Sequence, residues 1–379
     1  MQQATQTLSA KAKLDDEHFM HLALREAARG IGCTSPNPAV GALIVSRDGK
    51  KILARGWHRS AGLPHAEIEA LNALRKKFAA SSAADAARGA TLYVTLEPCS
   101  THGRTPPCVD AIIRAGFARV VIGAIDPNPA HAGRGIEILK KAGIAVVAGV
   151  LNEECRSLNA AFNKWIFSKM PFVIAKCGMS LDGRITRAPG EGQWLTRKAS
   201  RADAHALRAQ VDAILIGAET LRVDNPRLTI RNFSNETVEK NRARITTKSV
   251  VEKKQPWRVI ISRSGKNLPR AAHVFTDEHR ERTIVFKKKS LRAVLRELGK
   301  REITSVLIEG GMRVLGEAFD KKLVDRVQFY IAPILVGGPK ACVGGRGAES
   351  TAKASRIVNA RCKKIGNDLR LTGDVEYGV

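Results

Sequence analysis

Residues 91–124 read TLYVTLEPCSTHGRTPPCVDAIIRAGFARVVIGA. The apolar, strand-sized run Thr91–Leu96 predicts a strand, Pro107–Ala115 a helix that stops before Gly116, and Arg119–Ala124 a second strand. A strand, a helix and a strand in such close succession point to a layered α/β domain with helices packed on a sheet. The alternation continues on both sides of this segment. Ala39–Ser46 and Ile144–Ala148 read as further strands, and Asp16–Arg29, His65–Lys77 and Gly135–Ala142 as helices.

A chain of 379 residues is long enough for two or three domains. The first is expected over 15–150. A helix over Asn152–Lys169 then connects it, within 151–170, to a second domain over 171–379, because Pro171 biases Met170 away from helix. In the second domain strands are expected at Phe172–Cys177, Asp212–Gly217, Trp257–Ser262, Ser305–Glu309 and Arg326–Leu335. Helices are expected at Lys198–Gln210, Leu291–Gly299 and Met312–Lys321. The basic stretch 232–256 has no clear period and reads as an exposed insertion.

Composition narrows the function classes. With 44% hydrophobic and 26% charged residues the chain can bury a core, which excludes global disorder and a collagen-like fibre. No apolar run reaches the roughly 18 residues of a membrane-spanning helix. The polar start Met1-Gln2-Gln3-Ala4 and seven scattered cysteines point to a cytoplasmic enzyme with reduced thiols. The net charge of +27 favours phosphate-bearing partners. Residues 1–150 carry 19 basic and 12 acidic side chains, so +20 of the excess belongs to 151–379.

The sharpest chemical signal is His65-Ala66-Glu67 at a helix start, followed by Pro98-Cys99 and Cys108. One imidazole and two thiolates supply three zinc ligands and leave the fourth tetrahedral position to water, the open geometry of a catalytic site. Cys108, behind Pro106-Pro107, stands where a helix dipole favours thiolate. Glu67 can reach the water without binding the metal and carry its proton to a departing amine, the role known from zinc nucleobase deaminases. Here eight residues separate the cysteines instead of two.

That spacing, Glu97-Pro98-Cys99 through Pro106-Pro107-Cys108, resembles the deaminase half of the bifunctional riboflavin biosynthesis deaminase-reductases. Pro36-Asn37-Pro38-Ala39-Val40-Gly41, Gly56-Trp57-His58, Pro64-His65-Ala66-Glu67 and Asp126-Pro127-Asn128-Pro129 with Gly133-Arg134-Gly135 are similar to that family's other blocks, in order. The resemblance implies a cytidine-deaminase-like three-layer fold. It also implies a phosphoribosylamino-pyrimidinone substrate, with Asn37 on the base edge and Arg104, together with His58 and His102, toward the ribose phosphate.

After residue 170 no G-x-G-x-x-G follows a strand, so a standard dinucleotide fold is unsupported. Ser305–Glu309 runs into Gly310-Gly311 and a helix start, where a phosphate could approach free N–H groups. The order Lys176-Cys177-Gly178-Met179-Ser180-Leu181-Asp182-Gly183, Gln193-Trp194, Ala218 to Thr229, and Ile308-Glu309-Gly310-Gly311 resembles the reductase half of the same family. The resemblance implies a dihydrofolate-reductase-like α/β fold that reduces a ribosyl group to ribityl with NADPH. By it, Gly178, Trp194, Thr220, Asp224 and Gly311 hold the cofactor. Lys176, Arg208, Leu228, Arg231 and Glu309 surround the substrate, the two arginines answering its phosphate. Gly192 stands where the family often has a hydroxyl residue.

A rival reading is a deaminase of tRNA or single-stranded DNA, suggested by the charge. With 5% aromatic residues and no interleaving of basic with aromatic side chains, the chain lacks a base-stacking platform, so no specific nucleic acid is expected. A third reading leaves the C-terminal half as a structural or oligomerisation domain. NADPH binding separates it from the reductase. The protein is expected to be a homo-oligomer.

Overall fold

The computed structural model describes residues 10–78, 80–102, 106–129, 131–185, 194–231, 254–265 and 267–378. The chain divides into two compact units, Met1–Ser168 and Lys169–Val379. Among the described residues no helix is long and apolar enough to cross a membrane.

The first unit holds strands β1 (Gly41–Val45), β2 (Ile52–Trp57), β3 (Thr91–Leu96), β4 (Arg119–Ala124) and β5 (Ala145–Ala148) in the order β2-β1-β3-β4-β5. β1 runs antiparallel to β2 and β3, while β3, β4 and β5 are parallel. Its helices are α1 (Ala10–Ala28), α2 (Ala66–Lys77), α3 (Ala80–Ala87), α4 (Cys108–Ala115), α5 (Arg134–Lys141), α6 (Asn152–Leu158) and α7 (Ala160–Ser168).

Two glycines reveal the layering. A Cβ on Gly41 would meet Ala23 and Ala27 of α1, and one on Gly56 would meet Ala66 and Ala70 of α2. Gly56 pairs with Ala42, whose side chain points away from that of its neighbour Gly41. Helices α1 and α2 therefore cover opposite faces of the sheet, giving three layers, and β1 is buried along its whole length.

At Gly56 the approach is backbone to backbone. An added Cβ would sit 2.3 Å from Ala66 O and Ala70 N, where no flexible side chain can yield. Gly56→Ala is expected to push back the first turn of α2, lower stability by about 1–3 kcal/mol and reduce the zinc retained per chain. Thermal melts with metal analysis check both; an unchanged melt would remove the close approach from the account.

The helix expected over Asn152–Lys169 is two helices broken at Asn159. Buried Asn159 accepts from Ala39 N (2.8 Å) and donates Nδ2 to Ala39 O (2.9 Å), a paired contact 120 residues away in sequence. This contact ties the end of the first unit to the segment entering β1.

The second unit contains β6 (Phe172–Ser180), β7 (Ala213–Gly217), β8 (Trp257–Ser262), β9 (Thr283–Lys287), β10 (Ser305–Glu309), β11 (Arg326–Ala332), β12 (Arg356–Ile365) and β13 (Asp368–Glu376), ordered β12-β13-β11-β6-β10-β7-β8-β9. From β11 to β9 neighbours are parallel, and β13 and β12 close one edge antiparallel. Helices are α8 (Lys198–Arg208), α9 (Ala218–Asp224), α10 (His273–Thr276), α11 (Leu291–Lys300) and α12 (Met312–Asp320).

Both faces of the central strands are apolar. Val173, Ala175, Val306 and Ile308 join a core with α11 and α12, whereas Ile174, Ile214, Ile216 and Leu307 join one with Leu207 of α8 and Leu221 of α9. Lys176 and Glu309 share the parity of Ile174 and Leu307, so they lie on the α8 face. They are register partners in adjacent strands.

The boundaries differ from expectation where long-range contacts decide them. β6 extends to Ser180 because it continues to pair with β11. The strand expected to Leu335 ends at Ala332, since the carboxylate of Asp182 takes the amides of Val336 (3.1 Å) and Gly337 (2.7 Å). Strands β9, β12 and β13 carry no expectation from sequence. β12 is exposed and basic and has a register shift between Val358 and Arg361, so no two-residue hydrophobic alternation announces it.

Candidate functional sites

In the first unit two helix starts meet the end of a strand. His65 is the N-cap residue of α2, Cys108 opens α4, and Cys99 follows β3 by three residues. His65 Nδ1 lies 3.5 Å from Cys99 Sγ and 3.3 Å from Cys108 Sγ. A tetrahedral zinc with Zn–N of about 2.0–2.1 Å and Zn–S of about 2.3 Å sets nitrogen and sulfur about 3.5 Å apart. The donor set therefore fits the ion in both chemistry and spacing. Among the described residues it is the one group of three or more His, Cys, Asp or Glu side chains able to close on a metal.

The electrostatics agree. Cys108 N donates to Cys99 Sγ at 3.3 Å, so a helix N-terminus faces that sulfur. Hydrogen bonding from Cys108, and then from His65, lowers the Cys99 thiol to about 4 against the effect of burial. Cys108 is pushed up by its bond to Cys99 and by burial. Two sulfurs this close share one proton until a cation replaces it, which is how thiolate ligands couple metal binding to proton release.

Glu67, in the first turn of α2, is 3% exposed. Burial raises its carboxyl above the ordinary range, against the pull of the neighbouring His65. A carboxyl tuned upward beside a metal centre suits a group that must both take and return a proton.

Asn37 and His58 form a second tier. His58 Nδ1 lies 3.0 Å from Pro64 O and must donate to it, so Nε2 accepts from Asn37 Nδ2 at 3.2 Å. That contact fixes the amide of Asn37, with Oδ1 directed away from His58. His58 is buried, and burial lowers its pKa. A neutral imidazole with both nitrogens engaged does not face a phosphate, so this expectation is corrected: His58 orients Asn37 and buttresses His65, whose ring it meets edge-on at 5.2 Å. His102 is exposed, and Arg104 lies outside the described residues.

Glu97 carries a role that no local pattern announces. Its buried carboxylate accepts from the amides of Gly135 (2.9 Å), Gly133 (3.0 Å), Asp126 (3.2 Å) and Ile136 (3.4 Å). The loop after β4 is thereby tied to the segment that presents Cys99. An acid directly before Pro98-Cys99 was the only signal in the sequence.

In the second unit the strand ends converge on the carboxyl side of the parallel sheet, where α/β folds place ligands. Gly310 and Gly311 have φ of 81° and 85°, and Gly311 caps α12. A Cβ on Gly310 would meet nothing within 4 Å, and one on Gly311 would stand 3.0 Å from Thr220 Oγ1 of α9. This is an open glycine cradle before a helix N-terminus, which fits the phosphates of a dinucleotide. A Cβ on Gly178 would lie 3.5 Å from Thr196. Trp194 is 58% exposed beneath the Arg201 guanidinium at 5.3 Å, and Asp224 is exposed at the end of α9.

Arg208, buried on α8, forks onto Glu309 through Nε (2.5 Å) and Nη2 (2.8 Å) and donates Nη1 to Thr229 O (3.1 Å). Lys176 Nζ stands 3.8 Å from the same carboxylate. Burial opposes ionisation of Glu309, but Arg208 and Lys176 overcome it and hold the group near 2. Most of the Arg208 fork is thus spent within the fold, and Arg231, exposed, is the more available cation. Leu228 is 1% exposed with φ of 52°, its side chain in the core; only its backbone can meet a ligand. Gly192 and residues 232–253 lie outside the described residues.

Comparison with known proteins matches both units. Residues 13–124 match the cytidine and deoxycytidylate deaminase zinc-binding region, and residues 171–371 match the RibD C-terminal domain. The chain is 38% identical to the riboflavin biosynthesis protein RibD of Escherichia coli K12, over 94% of this chain and 99% of that one. It is 36% identical to that of Aquifex aeolicus, over 93% and 97%. Two solved structures superpose along nearly the whole chain. One is Acinetobacter baumannii RibD, form 2 (34% identity, TM-score 0.79, covering 96% and 99%). The other is a Thermotoga maritima protein described as a diaminohydroxyphosphoribosylaminopyrimidine deaminase/5-amino-6-(5-phosphoribosylamino)uracil reductase (34% identity, TM-score 0.80, covering 96% and 99%). A deaminase-type metal centre in one unit, a glycine cradle with a charged pocket in the other, and these matches across both halves place the chain in the RibD family of riboflavin biosynthesis proteins.

Proposed function

We propose that the first unit removes the ring amine of 2,5-diamino-6-(5-phosphoribosylamino)pyrimidin-4-one as ammonia. The second unit then reduces the ribosyl group of the resulting aminouracil to ribityl. The observation that carries this reading is the closure of His65 Nδ1 on two sulfurs, with the buried carboxyl of Glu67 in the first turn of the helix that His65 caps. When bound at His65, Cys99 and Cys108, zinc supplies Lewis acidity that lets water react at neutral pH; NADPH supplies the reducing equivalent.

The protein's own groups do the rest. Asn37, oriented by His58, offers Oδ1 to the N–H donors of the pyrimidine edge. Glu67 takes a proton from the attacking water and passes it to the nitrogen that leaves. The water oxygen ends on the ring carbon as the new carbonyl, the exocyclic C–N bond breaks to release ammonia, and the water's second proton ends on the adjacent ring nitrogen. In the second unit Gly178, Trp194, Thr220, Asp224 and the Gly310-Gly311 turn hold the cofactor. Glu309 fixes Lys176 and Arg208, Arg231 answers the substrate phosphate, and Lys176 protonates the oxygen of the opening sugar ring while C1′ is reduced.

Tryptophan fluorescence titration with NADPH tests the second half. Asp224→Ala is expected to weaken NADPH binding at least tenfold and to spare ammonia release. Equal loss of both activities would indicate a folding defect and remove Asp224 from the cofactor site. Cytoplasmic location, homo-oligomerisation and the absence of a specific nucleic-acid partner belong to the same proposal. Light scattering on the eluted protein checks the oligomer.

A further inference from the structure

The donors of Arg208 are largely committed to Glu309 and Thr229 O, so anion binding at the second site falls chiefly to Arg231. Arg231 is exposed, and a long exposed side chain binds weakly unless something limits its rotamers. The contact in place is His205 of α8, whose Nε2 lies 3.5 Å from Arg231 Nη2.

A guanidinium can only donate, so Nε2 must present its lone pair and the ring proton must sit on Nδ1. The surroundings keep the ring uncharged. His205 is 8% exposed; the charges of Arg208, Arg231 and Lys176 disfavour its protonation, and that of Glu309 favours it. Burial, and then Arg208 and Arg231, depress its pKa to about 4. A second lysine or arginine here would repel Arg231, and a carboxylate would neutralise it. An uncharged acceptor holds the guanidinium and leaves its charge for a ligand.

We propose that His205 is a positioning residue of the reductase: its Nε2 lone pair fixes the Arg231 guanidinium toward the substrate's 5-phosphate and so selects phosphorylated over unphosphorylated ribosyl substrates. This rests on the reading of Arg231 as the phosphate contact.

The test is steady-state NADPH oxidation by the full-length, zinc-loaded protein with the phosphorylated aminouracil, and with inorganic phosphate as competing probe. His205→Leu is expected to raise KM and the phosphate inhibition constant together by about tenfold, the loss of one hydrogen bond to a charged group, with kcat changed less than twofold. His205→Gln, which keeps an acceptor, recovers most of the loss. In an Arg231→Ala background His205→Leu adds nothing further.

A His205→Leu protein with unchanged KM and phosphate inhibition overturns the proposal while Arg231→Ala, raising both, leaves the phosphate reading intact. If Arg231→Ala changes neither, the phosphate reading fails and the proposal with it. NADPH-induced fluorescence quenching reports the fold of the unit. Should the leucine variant lose it, His205→Gln carries the test: a KM near the wild-type value supports the acceptor role, and a tenfold rise contradicts it.

Discussion

Glu67→Gln is expected to retain one zinc per chain and to lose ammonia release by about 10²–10⁴-fold, the range of general acid–base contributions. The substitution keeps the size and the hydrogen-bonding edge of the side chain but removes its capacity to carry a proton. The ligands are untouched, so metal content separates loss of chemistry from loss of the site. The pH profile offers a second check. In the wild type, ionisation of Glu67 sets the acid limb of kcat/KM. The variant's residual rate should lack that limb. Retained turnover in zinc-loaded Glu67→Gln would remove the residue from its role.

Arg208→Ala is expected to have the largest effect on stability. It strips the bidentate partner from Glu309, whose side chain is 8% exposed, and leaves Lys176 at 3.8 Å as its one cation within ion-pair distance among the described residues. Breaking one side of a buried pair costs about 3–5 kcal/mol, on the order of 10 °C in the melting temperature of a unit this size. The pH dependence follows from the sign of the shift. Glu309 is held near 2, below its ordinary 4.5, so its contribution is complete above 4.5 and is lost as pH falls from 4.5 toward 2. The stability gap between wild type and Arg208→Ala should be constant above pH 5 and narrow below 4.5. Urea melts across that range measure it. A gap that does not narrow would mean Glu309 is not the group that Arg208 stabilises.

The zinc site was legible in the sequence because metal chemistry restricts residue types, and two of its three ligands stand at helix starts that local pattern also marks. His65, Cys99 and Cys108 needed only helix α2, strand β3 and helix α4 to be right, and those elements were among the best defined by hydrophobic period. The reductase pocket was legible only through resemblance. Arg208 and Glu309 lie 101 residues apart, and nothing in either neighbourhood says that the arginine is spent on the acid rather than on substrate. The role of His58 inverted for a similar reason: its partners are a carbonyl and an amide, and a hydrogen-bond direction cannot be read from spacing. The break at Asn159 escaped because a backbone partner 120 residues away specifies it, and β12 because its hairpin with β13 is exposed and interrupted by a register shift, so no hydrophobic alternation marks it.

The most direct test of the central claim is ammonia release from the diaminopyrimidinone phosphate, measured without NADPH on one preparation before chelation, after chelation and after zinc is restored. The expected result is one zinc per chain, activity lost with the metal and regained with it, followed by consumption of one NADPH per ammonia once the cofactor is added. Ion-free protein that deaminates at the full rate, or zinc-loaded protein that releases no ammonia, would contradict it.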